Sequence, residues 1–288
     1  MTTDLCKLTK KRGRFARSHL LPKALTRLSL TGERLVEVGI GEGIKKRFDS
    51  WFDLELCTHE GEKILADIDT KAIRILRENL LIWGSWGGAE KLQADFDVGT
   101  ADDQNIRQIT IKNAPALQLF FLSLLWRAAT TNRVEFKHVQ VAPEILEDIR
   151  LRVLNKNIGQ VEDYPVHLYQ VTTIGVKHNR VPLSEEVNIA TDDEIGERNV
   201  PYVRFYFDGL VALVYLFKDR TDGEDHNKVS LCGRGDNKTF VFGNPFEKSR
   251  VNDNIKTMVE IVNEESALLR PSAMRAASAC CAKESEVL

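Results

Sequence analysis

Two cysteines and two histidines near the amino terminus have the side chains best suited to chemistry: Cys6, His19, Cys57 and His59. Thiolate sulfur and imidazole nitrogen hold zinc in tetrahedral sites. Cys6, Cys57 and His59 are therefore candidate ligands, and the candidate cofactor is a divalent metal, zinc or magnesium. Their spacing departs from a paired knuckle. Thr9 and Glu60 stand where a C-x-x-C pair would place the second sulfur after Cys6 and Cys57. The competing expectation is that both cysteines are small buried hydrophobes.

A cationic run accompanies these residues. Between Met1 and Arg27, Lys7, Lys10, Lys11, Arg12, Arg14, Arg17, Lys23 and Arg27 face a single acid, Asp4. Such a run neutralises phosphates, so DNA or RNA is the candidate partner of Lys10, Lys11, Arg12, Arg14, Arg17 and Lys23. The alternative is a solvated hairpin balanced by the acid-rich stretch from Asp49 to Glu62.

Two motifs resemble known enzymes. SHLLP, with His19, resembles the first histidine of the HNH nuclease motif. DLELCTHEGEK loosely resembles its downstream segment, with Gly61 where the last histidine belongs. The resemblance implies that His19 is a general base activating water beside a divalent metal. Ser18 stands where the family's metal-binding acid would be, and Asp53 and Glu62 are the substitute ligands. The second motif, RLVEVGIGEG, looks like the glycine-rich turn of S-adenosylmethionine-dependent methyltransferases. Gly39, Gly41 and Gly43 would admit the cofactor at a strand-to-helix turn, and Asp67 would read its ribose. Asp67 lies 26 residues after Gly41, against about 20 in such units, and within a helical periodicity. A third possibility is a protein-interaction module without chemistry, acting through the β-rich C-terminal half as a partner-binding or homo-oligomer surface.

The elements that must position these residues follow from periodicity. CKLTKKRGRF predicts a hairpin around Arg12-Gly13, and Pro22 opens a helical turn. Residues 31–56 are extended and turn-rich. Ile64, Ile68, Ala72, Ile75 and Leu76 recur at helical spacing and predict a helix over 60–81, ended by WGSWGG. Residues 104–112 predict a strand, and 115–130 a buried core helix whose Arg127 needs a carboxylate partner. A further helix follows Pro143. Alternation begins after Asn157, with strands at 166–174, 228–232 and 239–242. Asp208-Gly209, between VRFYF and LVALVYLF, is a type I′ hairpin signal. A closing helix spans 252–269, and 271–288 is expected to be a disordered tail. The aromatic residues Trp83, Trp86, Phe120, Phe121 and Trp126 are expected in the core.

The 288 residues are 43 % hydrophobic and 28 % charged with a net charge of −2, which excludes wholesale disorder and a polybasic coat. Five cysteines without an apolar leader point to reduced thiols and a cytoplasmic location. The longest apolar run, 114–129, is too short to span a bilayer. The expected fold class is α+β. Residues 1–60 form a degenerate HNH or treble-clef-like module, 61–157 a helical body, 158–270 an antiparallel β-rich region with a closing helix, and 271–288 the tail.

Four phrases in order, CKLTKKRGRFARSHLLPKALT, THEGEKILADIDTKAIRILRENLLIWGSWG, FFLSLLWRAATTNRVEF and VRFYFDGLVA, resemble one bacterial family. The resemblance implies a treble-clef-like start that has lost paired zinc cysteines kept by relatives. It also implies that EGEKILADID is a helix after the knuckle, not a cofactor loop. The family implies kinship without an established activity.

Overall fold

The computed structural model describes residues 5–26, 35–39, 43–47, 50–93, 98–101, 104–160, 162–190, 197–217, 228–233, 237–257 and 260. It is an α+β protein in which three helices cover one face of a mixed sheet. Strands β1 (Ser18–His19), β2 (Leu35–Gly39), β3 (Gly43–Arg47) and β4 (Phe52–Asp53) precede helix α1 (His59–Glu78). Strands β5 (Val98–Ala101) and β6 (Gln104–Thr110) follow, then α2 (Ala114–Thr130) and α3 (Pro143–Asn155). The second half adds β7 (Val166–Val171), β8 (His178–Arg180), β9 (Leu183–Ala190), β10 (Glu197–Phe207), β11 (Leu210–Tyr215) and β12 (Lys238–Asn244).

Helix α1 forms as its periodicity predicts. Leu65, Ile68, Ala72, Ile75 and Leu76 are buried on one face, with Glu60 and Glu62 in the first turn and Arg77 in the last, where each complements the helix dipole. α2 opens with Pro115 and is apolar all round, so it is buried on every side, between α1 and α3 and against β11 of the sheet. α3 ends at Lys156, which adopts a left-handed conformation at φ 52°.

The main sheet has the order β5-β6-β12-β7-β11-β10-β9. All its pairings are antiparallel except β12 with β7. Strand alternation separates its two faces. Val203, Phe205, Phe207, Leu210, Ala212 and Val214 join the helices in one apolar cluster that also takes in Cys6, Cys57 and Val241. Tyr202, Arg204, Tyr206, Val211, Leu213 and Tyr215 lie on the opposite face and line a cavity.

The β10–β11 turn is the expected type I′ hairpin, with Asp208 at φ 48°, Gly209 at φ 80° and Phe207 opposite Leu210. WGSWGG closes over it. Trp83 N donates to Asp208 O at 2.9 Å, Gly84 N to Asp208 Oδ2 at 2.9 Å, and Trp83 Nε1 to Val171 O at 2.9 Å. A Cβ on Gly209 would lie 2.3 Å from Trp83 Nε1, so this position requires glycine for space as well as for φ.

Some expectations are corrected. The N-terminal turn is centred on Lys7–Lys10, with Leu5 bridging Arg12, rather than on Arg12-Gly13. Residues 228–233 are turns, not a strand. β2 runs into an antiparallel partner, Gly39 opposite Gly43, where the methyltransferase reading needs a strand-to-helix turn. Asp67 stands mid-helix in ion pairs with Lys71 and Lys156. Helical structure covers 250–257, while the rest of the closing helix to 269, apart from residue 260, and the tail lie outside the described residues. Among the described residues no helix is long and apolar enough to cross a membrane.

Candidate functional site

Residues 5–26 and 50–58 fold back on the start of α1. Cys6 N donates to Lys11 O, Lys10 N to Cys6 O, Lys7 N to Leu56 O and Ala16 N to Cys57 O, each at 2.9 Å. Thr9 N reaches Cys6 Sγ at 3.4 Å. Both sulfurs converge on Gly61, where an added Cβ would stand 2.7 Å from Cys6 Sγ and 3.3 Å from Cys57 Sγ. The missing side chain at Gly61 is what lets the helix start sit against the thiols. The two thiols are pushed in opposite directions: the contact with Cys57 draws the Cys6 thiol down to about 4, with burial opposing it. The hydrogen bond to Cys6, and then desolvation, push the Cys57 thiol well above its ordinary range.

The expected metal set is not assembled. Cys6 and Cys57 meet, but His59, the first residue of α1, is exposed, and its N–H donates to Arg14 O at 3.0 Å. Glu60 is exposed and paired with Lys11 at 2.9 Å. Among the described residues no three His, Cys, Asp or Glu side chains converge closely enough to hold a metal ion. The physical reason is the lost sulfurs: Thr9 offers its N–H and hydroxyl in place of a thiolate and Glu60 faces solvent, so the knuckle is closed by packing and hydrogen bonds.

The proposed catalytic residues fare unevenly. β1 pairs antiparallel with β4, placing Ser18 opposite Asp53 and His19 opposite Phe52. Asp53 is buried and engaged, accepting from Thr131 Oγ1 at 2.6 Å and from Glu55 N at 2.7 Å, so it ties β4 to the end of α2. Ser18 and Glu62 do come together. Glu62 Oε2 and Ser18 Oγ are both buried without a well-formed hydrogen bond. Desolvation raises the Glu62 carboxyl above its usual range, against the opposing pull of Ser18, Arg127 and His19. The His19 imidazole is half-buried.

Arg127 organises this cluster. Its side chain is 1 % exposed. The guanidinium clamps Asp69 of α1, with Nη1 at 3.1 Å from Oδ2, and also donates to His19 O at 3.1 Å and Ser123 Oγ at 3.0 Å. One cation thus ties α2 to α1 and β1, and Asp69 is the carboxylate partner that the sequence required.

The cationic run divides into engaged and free groups. Lys11 pairs with Glu60, and the Arg17 guanidinium lies 3.8 Å from the Phe52 ring centroid. Lys10, Arg12, Arg14 and Lys23 are exposed and form no ion pair among the described residues. They sit on a segment whose backbone is pinned to Leu56, Cys57 and His59.

Sequence reasoning missed Arg180, Arg204 and Arg250, which line the cavity on the far face of the sheet. The signal was present in YVRFY: Tyr202, Arg204 and Tyr206 alternate along one strand face. Comparison with family models, with curated proteins and with solved structures returns no match.

Proposed function

We propose that this protein binds nucleic acid through the exposed edge of its N-terminal knuckle. The observation that carries the reading is the set Lys10, Arg12, Arg14 and Lys23, solvent-facing and without an ion pair among the described residues. Cations placed in this way contact phosphates without first leaving an internal partner, and binding releases the counterions condensed on the nucleic acid. The strand–strand–helix order of β1, β4 and α1 is consistent with the module that the sequence resembles.

The salt dependence of binding to a short duplex tests this. Four phosphate contacts give a log-log slope of about −3 to −4. Replacing Lys10, Arg12 and Arg14 together by alanine should reduce the slope by about 3. A flat plot for the native protein contradicts the reading.

A second, hydrolytic reading draws support from the buried Glu62 carboxyl beside Ser18 and His19. In it His19 acts as general base and Glu62 stands behind the reacting water or metal. Nuclease assays with magnesium or manganese decide it. Cleavage that disappears in His19→Ala supports the reading, and equal cleavage by both proteins removes it.

A further inference from the structure

Across the sheet from the helices lies a cavity of about 340 Å³, within the range of about 300–1,000 Å³ typical of small-molecule sites. β10, β11, β7 and β12 form its wall, His178 and Arg180 of β8 reach over it, and residues 249–254 close one side.

Three guanidinium groups, of Arg180, Arg204 and Arg250, line this one space. Among the described residues the acid that answers them is Glu185. It accepts from Arg204 Nη2 at 2.9 Å and from Tyr202 Oη at 2.7 Å, so one carboxylate serves more than one of these cations. Among the described residues neither the Arg180 nor the Arg250 guanidinium forms an ion pair or side-chain hydrogen bond at contact distance, and Arg180 feels Glu185 only as a nearby charge. Arg180 is half-buried, and burial, then the neighbouring Arg204, push it down to about 10. His178 adds no charge, because burial pushes it down to about 4, and its ring stacks on Tyr206 at 4.4 Å. A half-buried cation crowded by like charge, as Arg180 is, destabilises the empty protein, and an incoming anion offsets that cost.

The rest of the lining favours a planar ring next to that anion. Tyr169 and Phe242, both half-buried, stack on each other at 5.0 Å with planes 25° apart and place an aromatic pair in the lining. The Asn244 and Asn254 carboxamides offer donors and acceptors that can read a base edge. The Tyr206 hydroxyl is buried, and its residue is 5 % exposed.

We propose that the cavity binds a free mononucleotide, with its phosphate held by Arg180 and Arg250 and its base packed against the Tyr169–Phe242 pair. Arginine forks match phosphate oxygens two at a time, and aromatic faces stack bases without regard to sequence. The cavity is separate from the knuckle edge, so this proposal stands whether or not the polymer binds there.

Isothermal titration of the full-length protein tests it, using the four common nucleoside 5′-monophosphates, adenosine, ribose 5-phosphate and a 5′-phosphorylated dodecamer as probes. At least one monophosphate should bind and raise Tm, at least tenfold tighter than adenosine or ribose 5-phosphate alone. Arg180→Gln should weaken it tenfold or more. Arg250→Ala, at an exposed rim position that leaves the fold intact, should weaken it several-fold. Binding of none of the monophosphates, binding unaffected by both substitutions, or binding of the dodecamer alone would overturn the proposal.

Discussion

Arg127 and Arg180 are both drawn out of water, yet their surroundings differ. Arg127 is enclosed by Asp69, the His19 carbonyl and Ser123, all supplied by the fold itself. Arg180 shares its space with two other arginines, and the nearest acid is already paired with Arg204. A compensated buried charge fixes how elements meet, and an uncompensated one leaves room for a ligand. By that criterion the polar cluster under the knuckle is mainly architectural, and the cavity beyond the sheet is built for binding.

The sharpest way to break this contrast is to remove the partner of Arg127. Asp69→Ala leaves a buried guanidinium unpaired and should cost about 3–5 kcal/mol, read as a lower urea midpoint at pH 7. Gly209→Ala comes next, since it adds a Cβ at a positive φ and against Trp83. It should cost about 2–4 kcal/mol, with loss of the near-ultraviolet tryptophan signal.

Glu62 is a smaller and oppositely signed case. Its folded-state carboxyl titrates above the unfolded one because burial disfavours the charged form. The folded state therefore binds more protons, and stability falls as pH rises from the ordinary glutamate range through the raised value. Glu62→Gln should leave stability at pH 3 unchanged and raise Tm modestly at pH 7. Equal stability of the two proteins at both pH values contradicts a desolvated carboxyl.

The smallest effect is expected at Arg180. Its folded-state pKa lies below the unfolded one, so its charge is a cost at every pH below about 10. Arg180→Gln should unfold no earlier than the native protein when no ligand is present.

Much of the fold was legible in the sequence. The helices α1, α2 and α3 followed from apolar spacing and from Pro115 and Pro143, and the β10–β11 hairpin from Asp208-Gly209. The need of Arg127 for a carboxylate was legible too, but not the identity of Asp69, because their meeting depends on how α2 crosses α1. The turn at 228–233 was misread as a strand because a short apolar run does not distinguish a packed turn from a strand. Of the site residues, Ser18, His19 and Glu62 do gather, whereas Asp53 and His59 are drawn into structural roles by Thr131 and by solvent. The cavity was the least visible feature. Its arginines come from β8, β10 and the segment after β12, and only the tertiary fold unites them.

Urea unfolding of the native protein, Asp69→Ala and Arg180→Gln, run side by side at pH 7 without added ligand, tests the contrast most directly. The midpoint should fall steeply for Asp69→Ala and hold or rise for Arg180→Gln. A comparable fall in both would mean that the cavity arginine supports the fold as Arg127 does, and the distinction between the two regions would be lost.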